Sequence, residues 1–537
     1  MRDAHPYLPQ PPNEHEKYGY FTERRGGAGR WLLGWLLVAA LAVAYGYLRV
    51  ATEAPWTTPA LLLLPLVMLP VALGAGLVAH RPRTGLGRHR VILAGYRWDT
   101  ADTVDIWVPA DGEPLAALRN TCRAVADLRW HAPIMRYLLD DGPVRPEVER
   151  LALEHGFVYV RRREPAPGGP IREGERGWLG RTGNLINGFD ASMGRYGVVF
   201  DAGVAPRPDF LWETVPYLQV YRRTAVVQTA PRCGVDPWLN YAQRAAGTLQ
   251  EFFFKWLQPA RDGWRAATPV GTNVVYRREA VRAVGGFARV PQGEDVTTAV
   301  LLPAGGWETR YVPLVLAKGV APDSWPEIAD ERTRRCRAAL LLTTDKRFQR
   351  TRLGWRARAA HWVTFLSYLA SAGLLFTVPF PVLATVWGFP ERVLPDAYLP
   401  LVPAMLAAVA AVPLLARGGR LAVLRLCLIN SACHAVALAD ALRARVGQSP
   451  RRVSRLLRGW IVVTQVALWT GIAVRLPEHG PGPLWGAIVL AGIQLYVVAP
   501  LLAPAHGIRP ATAPAHETAE PITVPLPQLA LTGGRPA

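Results

Sequence analysis

Two runs decide the fold class of this 537-residue chain: IMRYLLDDG at residues 134–142 and YGVVFDAG at 196–203. Each is a mostly apolar segment of strand length that ends on aspartate and then breaks at a nearby glycine. Around them lie VDIWV (104–108), which closes on Pro109, and the strand-like segments Phe157–Val160 and Thr224–Gln228, with a helix-like run over 114–130. Strands that alternate with helical runs predict an open, mostly parallel α/β sheet. In such sheets ligands sit beyond the carboxyl ends of the strands, and Asp140, Asp141 and Asp201 fall at those ends. A lone aspartate there is most simply a helix N-cap or a turn residue. Three of them at two strand ends point instead to a divalent cation and a diphosphate, because hard cations take oxygen ligands and bridge phosphates.

Outward from this core the composition changes. Residues 81–358 carry charges every few positions, as a domain in water does. Residues 31–48 and 59–79 carry none, and each is long enough to cross a hydrocarbon layer about 30 Å thick as a helix. The thirty mostly polar residues ahead of the first run argue against a cleaved signal peptide. Apolar runs resume at 361–389, 398–416, 421–442, 460–474 and 484–503, and the proline-rich stretch 505–537 is expected to be disordered. Arginine sets the orientation. Residues 80–97 hold five arginines, residues 443–458 hold six, and neither stretch holds an acid. Both are expected on the cytoplasmic side, with the segment 1–30. The run 421–442 then has both ends inside and carries Arg425, Asn430, His434 and Asp440, which are costly within a bilayer. It is expected to be an interfacial or re-entrant helix, with a seventh span as the alternative. The layout is two spans over 31–79, a cytosolic domain at 81–358, and about four more spans within 361–503.

Several classes are excluded. Half the residues are hydrophobic, too many for a disordered chain. The five cysteines share no CxxC spacing, which removes a zinc ribbon and makes a disulfide framework a poor reading. The net charge of +20 needs no nucleic acid to explain it, since arginine flanking apolar helices accounts for much of it. A solute transporter would show internal repeats or interrupted helices in matching halves, which a two-plus-four layout around a large soluble domain does not offer.

From about 104 to 340 the order of motifs resembles the membrane-embedded members of glycosyltransferase family 2, in particular the cellulose synthase catalytic subunits and their relatives. Pro109 with Glu113-Pro114 resembles the family's opening PTYNEP, and Leu139-Asp140-Asp141-Gly142 its LDDG. Arg181-Thr182-Gly183-Asn184-Leu185 stands at KAGNL, Phe200-Asp201-Ala202-Gly203 at the DxD site, and Val227-Gln228-Thr229 at VQTP. Gly271-Thr272-Asn273 with Arg277-Arg278-Glu279-Ala280 resembles GTNxxxRREA, Gly293-Glu294-Asp295 stands at TED, and Glu331 to Arg335 lies at QxxRW.

The resemblance implies an inverting transferase with a GT-A domain in the cytosol, anchored in the cell membrane. It implies a nucleoside-diphosphate-sugar donor, a UDP-sugar by preference, and a polysaccharide or lipid-linked acceptor, with membrane lipids and accessory export proteins as partners. Asp140, Asp141, Arg181, Asp201 and Arg334 would serve the donor, and Asp201 would hold Mg²⁺ or Mn²⁺. Asp295 would be the general base, with Glu294, Glu331 and Arg335 on the acceptor side. The sequence departs from the pattern where Gly203 replaces the second DxD carboxylate, where Glu331 and Arg335 replace the Gln and Trp of QxxRW, and where Asp111 replaces an aromatic. These departures leave a second reading, a degenerate relative that binds nucleotide or a partner synthase without turnover. Relatives of this type often end in a cyclic-di-GMP-binding barrel. The roughly 33 residues after the last run are too few for one, so direct regulation by that dinucleotide is not expected.

Overall fold

The structure is a computed structural model that describes residues 8–22, 83–234, 239–322, 324–377, 420–442 and 450–502, with isolated positions within 34–52 and 379–387. Most of 31–79, and all of 398–416, the loop 443–449 and the stretch 505–537, lie outside the described residues, so the spans and tail expected there are not addressed.

Eight strands form one sheet: β1 (Val104–Ala110), β2 (Ile134–Asp140), β3 (Val158–Arg161), β4 (Tyr196–Val199), β5 (Ala205–Pro206), β6 (Thr224–Cys233), β7 (Val274–Arg277) and β8 (Glu308–Gly319). Their order is β3-β2-β1-β4-β7-β6-β8-β5. Strands β1 to β4 pair in parallel, as the alternating pattern predicts. The other half departs from a mostly parallel sheet. Strand β7 inserts antiparallel between β4 and β6, β8 runs parallel to β6, and β5 runs antiparallel to β8. The sheet is therefore mixed. Strand β7 has only four residues, too few to show a period, and the apolar run of β8, Tyr311–Ala317, is broken by Pro313 and preceded by Glu308 and Arg310. Pro109 does not end β1, because β4 pairs only as far as Trp107 and leaves β2 alone beside the proline.

Successive β1 side chains point to opposite faces. Ile106 and Val108 pack with Leu118, Val125, Phe210 and Leu211 of the helices Leu115–Ala126 and Phe210–Val220. Trp107 packs on the other face with Leu139, Leu185, Phe189 and Phe287. Gly197 on β4 is required by this packing, since a Cβ there would overlap the Trp107 ring.

The segment 1–30 includes a helix, Glu14–Thr22, fixed to the sheet domain by ion pairs. Lys17 Nζ lies 2.7 Å from Asp209 and 2.5 Å from Glu213, and Glu16 lies 2.6 Å from Lys318 of β8.

After the sheet come the helices Trp325–Thr344, Trp355–Thr377, Arg420–Leu442, Pro450–His479 and Pro481–Leu502. Among the described residues, two stretches are long and apolar enough to cross a membrane, Arg455–His479 and Pro481–Leu502. The arginines at 451–458 form the first turns of a helix rather than a loop, and that helix runs on through Pro477 to His479. Gly480, at φ +70°, makes the left-handed turn into the next helix. The helix Arg420–Leu442 is continuous, and protein meets its Arg425 and Asp440, while Asn430 Oδ1 and His434 Nδ1 are buried with no hydrogen-bond partner among the described residues. Arg425 Nε donates to the Val497 carbonyl at 2.9 Å, Asp440 pairs with Arg337 at 2.8 Å, and His434 packs edge-on against Tyr368.

Candidate active site

The carboxyl end of β4 and the starts of the helices Arg181–Asp190 and Glu294–Leu301 bring Asp201, Arg181, Glu294 and Asp295 together. Arg181 opens the helix Arg181–Asp190. Its Nη1 donates to Glu294 Oε1 at 2.5 Å, and its Nη2 donates to Asp201 Oδ1 at 2.7 Å and to the Gly271 carbonyl at 2.6 Å. Thr182 Oγ1 holds the other Glu294 oxygen at 3.1 Å. Burial works against the Arg181 charge, but Asp201 and Glu294 raise its pKa, so it stays a cation.

The loop that receives Arg181 is built by a buried glutamine. Gln228 Oε1 accepts from Val270 N–H at 2.9 Å, and its Nε2 donates to the Thr272 carbonyl at 2.9 Å. Asn273 sits at φ +54°, in the left-handed region that Asn tolerates better than most residues. Thr272 Oγ1 in turn accepts the Asp201 backbone N–H at 3.0 Å. The motifs at 227–229 and 271–273 thus act as one unit that fixes Asp201 and Arg181.

Asp295 adjoins this cluster. Burial first, and then the neighbouring Glu294, push its carboxyl up to about 7, while Arg181 and Arg335 act in the opposite sense. Asp295 is not the N-cap of its helix. Gly293 holds that position at φ +73°, and Asp295 Oδ1 accepts the Val296 N–H at 2.7 Å. Arg335 joins the cluster from the helix Trp325–Thr344 through its charge on Asp295 and its ion pair with Glu331. Burial opposes the charge on Glu331, but Arg335, Arg332 and Arg334 hold its carboxyl below the ordinary value.

Three expected donor residues stand differently from a free ligand set. Asp140 is fully buried, and its carboxylate accepts from Gly142 N–H at 3.0 Å, Tyr159 Oη at 2.8 Å and Arg161 Nη1 at 3.0 Å. Asp141 is held by the buried Arg162, whose Nε lies 2.8 Å from Oδ1 and whose Nη2 pairs with Oδ2. Both acids therefore shape the turn after β2, and a donor would meet that turn rather than unpaired carboxylates. Arg334 is not brought to Asp201. Its side chain is 55% exposed, and its ion pair among the described residues is with Asp330 at 3.5 Å, one helical turn away. Its neighbour Arg335 is almost as exposed, at 51%, and differs in its partner, pairing with Glu331 one helical turn away.

Arg161 and Arg162 were not singled out from the sequence. The available signal was RRR at 161–163, at the carboxyl end of the strand beside the two aspartates. Two rim acids also emerge. Burial first, and then Asp141, raise the Asp111 carboxyl, and burial raises Glu113, with smaller contributions from Asp111 and Asp201.

The family model "Glycosyl transferase family 2" matches residues 106–285, and "Glycosyl transferase family group 2" matches 198–414. The chain belongs to glycosyltransferase family 2. Within that family it is cellulose synthase-like. It is 28% identical over 375 residues to "Cellulose synthase 2" of Novacetimonas hansenii, covering 67% of this chain and 22% of that protein. It is 27% identical over 288 residues to "Cellulose synthase catalytic subunit [UDP-forming]" of Komagataeibacter sucrofermentans, covering 52% of this chain and 36% of the relative. The matches thus span well under half of these relatives. Among solved structures, a mannosyltransferase from Pyrobaculum calidifontis in complex with GDP-Man and Mn²⁺ aligns with a TM-score of 0.45 and 17% identity, over 71% of this chain and 99% of that one.

The side chains of this family 2 site fit a resident divalent cation poorly. Asp201 offers one carboxylate, Arg181 already holds its Oδ1, and Gly203 supplies no second ligand. Among the described residues no group of three or more His, Cys, Asp or Glu is arranged to hold a metal ion. Gly203 has open space on its Cβ side but sits at φ +86°. Gly203→Asp is expected to tighten Mn²⁺ binding in calorimetry while lowering stability by about 1–2 kcal/mol through left-handed strain. Unchanged or weaker Mn²⁺ binding by a folded variant would remove Asp201 from any metal role.

Proposed function

We propose that the protein moves a sugar from a nucleoside-diphosphate donor, a UDP-sugar, to a hydroxyl of a glycan or lipid-linked acceptor, with inversion, through a GT-A-type domain. The observation that carries this reading is the buried Asp295 carboxyl, pushed up to about 7 beside Arg181, Asp201 and Glu294 at the carboxyl edge of the sheet. A carboxylate in this range is suited to take a hydroxyl proton near neutral pH. In the proposed step the acceptor O–H gives its proton to Asp295 as its oxygen bonds to the anomeric carbon. The bond from that carbon to the diphosphate oxygen breaks, and the diphosphate leaves with the electron pair. Arg181 is the cation placed to meet the charge that develops there. UDP is the nucleotide named for the cellulose synthase relative.

The reading is tested with isolated membranes, a panel of labelled UDP- and GDP-sugars, and Mg²⁺ or Mn²⁺. Incorporation from one donor supports transfer. Two observations favour the second reading, a nucleotide-binding relative without turnover: the loss of the DxD partner at Gly203 and the ion pairs that already occupy Asp140 and Asp141. UDP binding with no incorporation from any donor would establish it.

In this proposal the protein is embedded in the cell membrane, the sheet domain faces the cytoplasm, and the helices after it carry or export the product with the help of accessory proteins. The acid-free arginine clusters support the orientation. A Gln448→Cys variant is expected to resist membrane-impermeant thiol reagents added to intact cells. Strong labelling from outside would place 443–449 on the opposite face.

A further inference from the structure

A cavity of about 690 Å³ lies behind the helix Glu294–Leu301, on its Val296, Ala299 and Val300 side, away from the carboxyl edge of the sheet. Six arginines line it (Arg83, Arg223, Arg265, Arg310, Arg352 and Arg356), against a single carboxylate, Glu308. Glu308 is shared, accepting from Arg83 Nη2 at 2.9 Å and from Arg310 Nη2 at 2.8 Å. Arg223, Arg265 and Arg352 make no ion pair with any described residue. One Arg83 nitrogen, Nη1, is buried without a hydrogen-bond partner among the described residues. Arg265 is held at φ +56°, a conformation that costs a non-glycine residue about 1–2 kcal/mol. Burial, and then the adjacent Arg83, push the Arg310 guanidinium below its ordinary value.

Six guanidinium charges face two carboxylates, Glu308 and, 3.9 Å from Arg83 Nη1, Asp262; the excess positive charges repel one another, and a polyanion would relieve that cost. Guanidinium groups pair with phosphate oxygens two bonds at a time. The position narrows the source. Trp355 and Arg356 open the helix Trp355–Thr377, where the apolar run after the domain begins, and Trp355 is 71% exposed and tilted against Trp264 at 6.2 Å. Tryptophan and arginine together at the end of an apolar helix are typical of a membrane–water boundary, and basic pockets on the cytoplasmic side of membrane helices hold anionic lipid headgroups.

We propose that this cavity binds a phosphate-bearing anion, and that its occupant is the headgroup of an acidic phospholipid seated against Arg265, Arg352 and Arg223. The site is separate from the sugar-transfer site, and binding there can be read without turnover.

The test uses the full chain purified in uncharged detergent. Thermal melting is followed while phosphatidylglycerol is added in mixed micelles, with phosphatidylcholine as the neutral control, and in parallel while glycerol phosphate or inorganic pyrophosphate is added without lipid. Phosphatidylglycerol is expected to raise the melting temperature where phosphatidylcholine does not. The double variant Arg265→Glu/Arg352→Glu is expected to lower its apparent affinity by about tenfold or more. If that variant does not purify folded, Arg352→Gln, at an exposed position, serves for the same comparison. An arginine-dependent response to pyrophosphate alone would keep the phosphate site and make its source a soluble ligand. A lipid response identical in wild type and variants, or none in either arm, would overturn the proposal.

Discussion

Asp295→Asn is expected to turn over at least about 10²-fold more slowly than the wild type while keeping UDP affinity, because the amide keeps the size of the side chain and loses the proton acceptor. A purely structural role would show differently. Asp295 lies in the first turn of its helix but is not the cap, since Gly293 is, so a helix-end effect would cost about 1 kcal/mol or less and leave turnover intact. Full activity with a lowered melting temperature would remove Asp295 from the mechanism. The pH dependence gives a second readout. With its carboxyl at about 7, a base at Asp295 makes kcat/KM rise with pH through that value and level off above it. Stability moves the other way. The folded state keeps a proton that the unfolded chain releases near the ordinary value of 3.8, so this group's contribution to stability falls as pH rises from about 4 to about 7. Asn abolishes that slope, and the variant is expected to lose less stability than wild type across the same window.

Arg181→Ala is expected to lower donor affinity and turnover together, because it removes the one side chain that touches Asp201, Glu294 and the Gly271 carbonyl at once. Glu294 is left with its Thr182 bond alone inside the protein, a loss on the order of 2 kcal/mol for a charge-assisted hydrogen bond. The Asp201 contact contributes less, because both of its partners are more than a third exposed. Arg181 also holds the Asp295 carboxyl down, so the activity limb of the Ala variant should shift to higher pH. Arg181→Lys keeps the charge without the fork and is expected to fall between the two. An Ala variant that melts lower but has an unchanged pH profile and donor affinity would reduce Arg181 to a scaffold role.

Much of this site could be read from the chain alone, because its chemistry is carried by local runs. The apolar strands that end at Asp140 and Asp201 follow from hydrophobic pattern and glycine placement, and the first half of the sheet pairs in parallel as those runs predict. The ordered motifs put Asp295, Glu294, Arg181 and Asp201 forward together, although up to 114 residues separate them. The second half of the sheet was not legible in the same way. Strand β7 is too short to show a period, and the apolar run of β8 at 311–317 is interrupted by Pro313, so the direction and place of both strands come only from pairing with their neighbours.

The chain's residue order supplies the chemical groups: acids at strand ends, a glycine where a second carboxylate would stand, arginines beside apolar helices. Which charge meets which is settled by folding. Asp140 and Asp141 read as open carboxylates, yet Arg161, the last residue of β3, and Arg162 just beyond it neutralise them. Arg334 and Arg335 read as adjacent members of one motif, yet the helix turns the first toward Asp330 and the second toward Glu331 and Asp295. The reason is physical. Residue type fixes what a side chain can bond to, but in a water-poor site the charge and pKa of a group depend on partners within a few ångströms. Those partners come from β3, from the loop at 271–273 and from helices far along the chain, and folding alone brings them within reach.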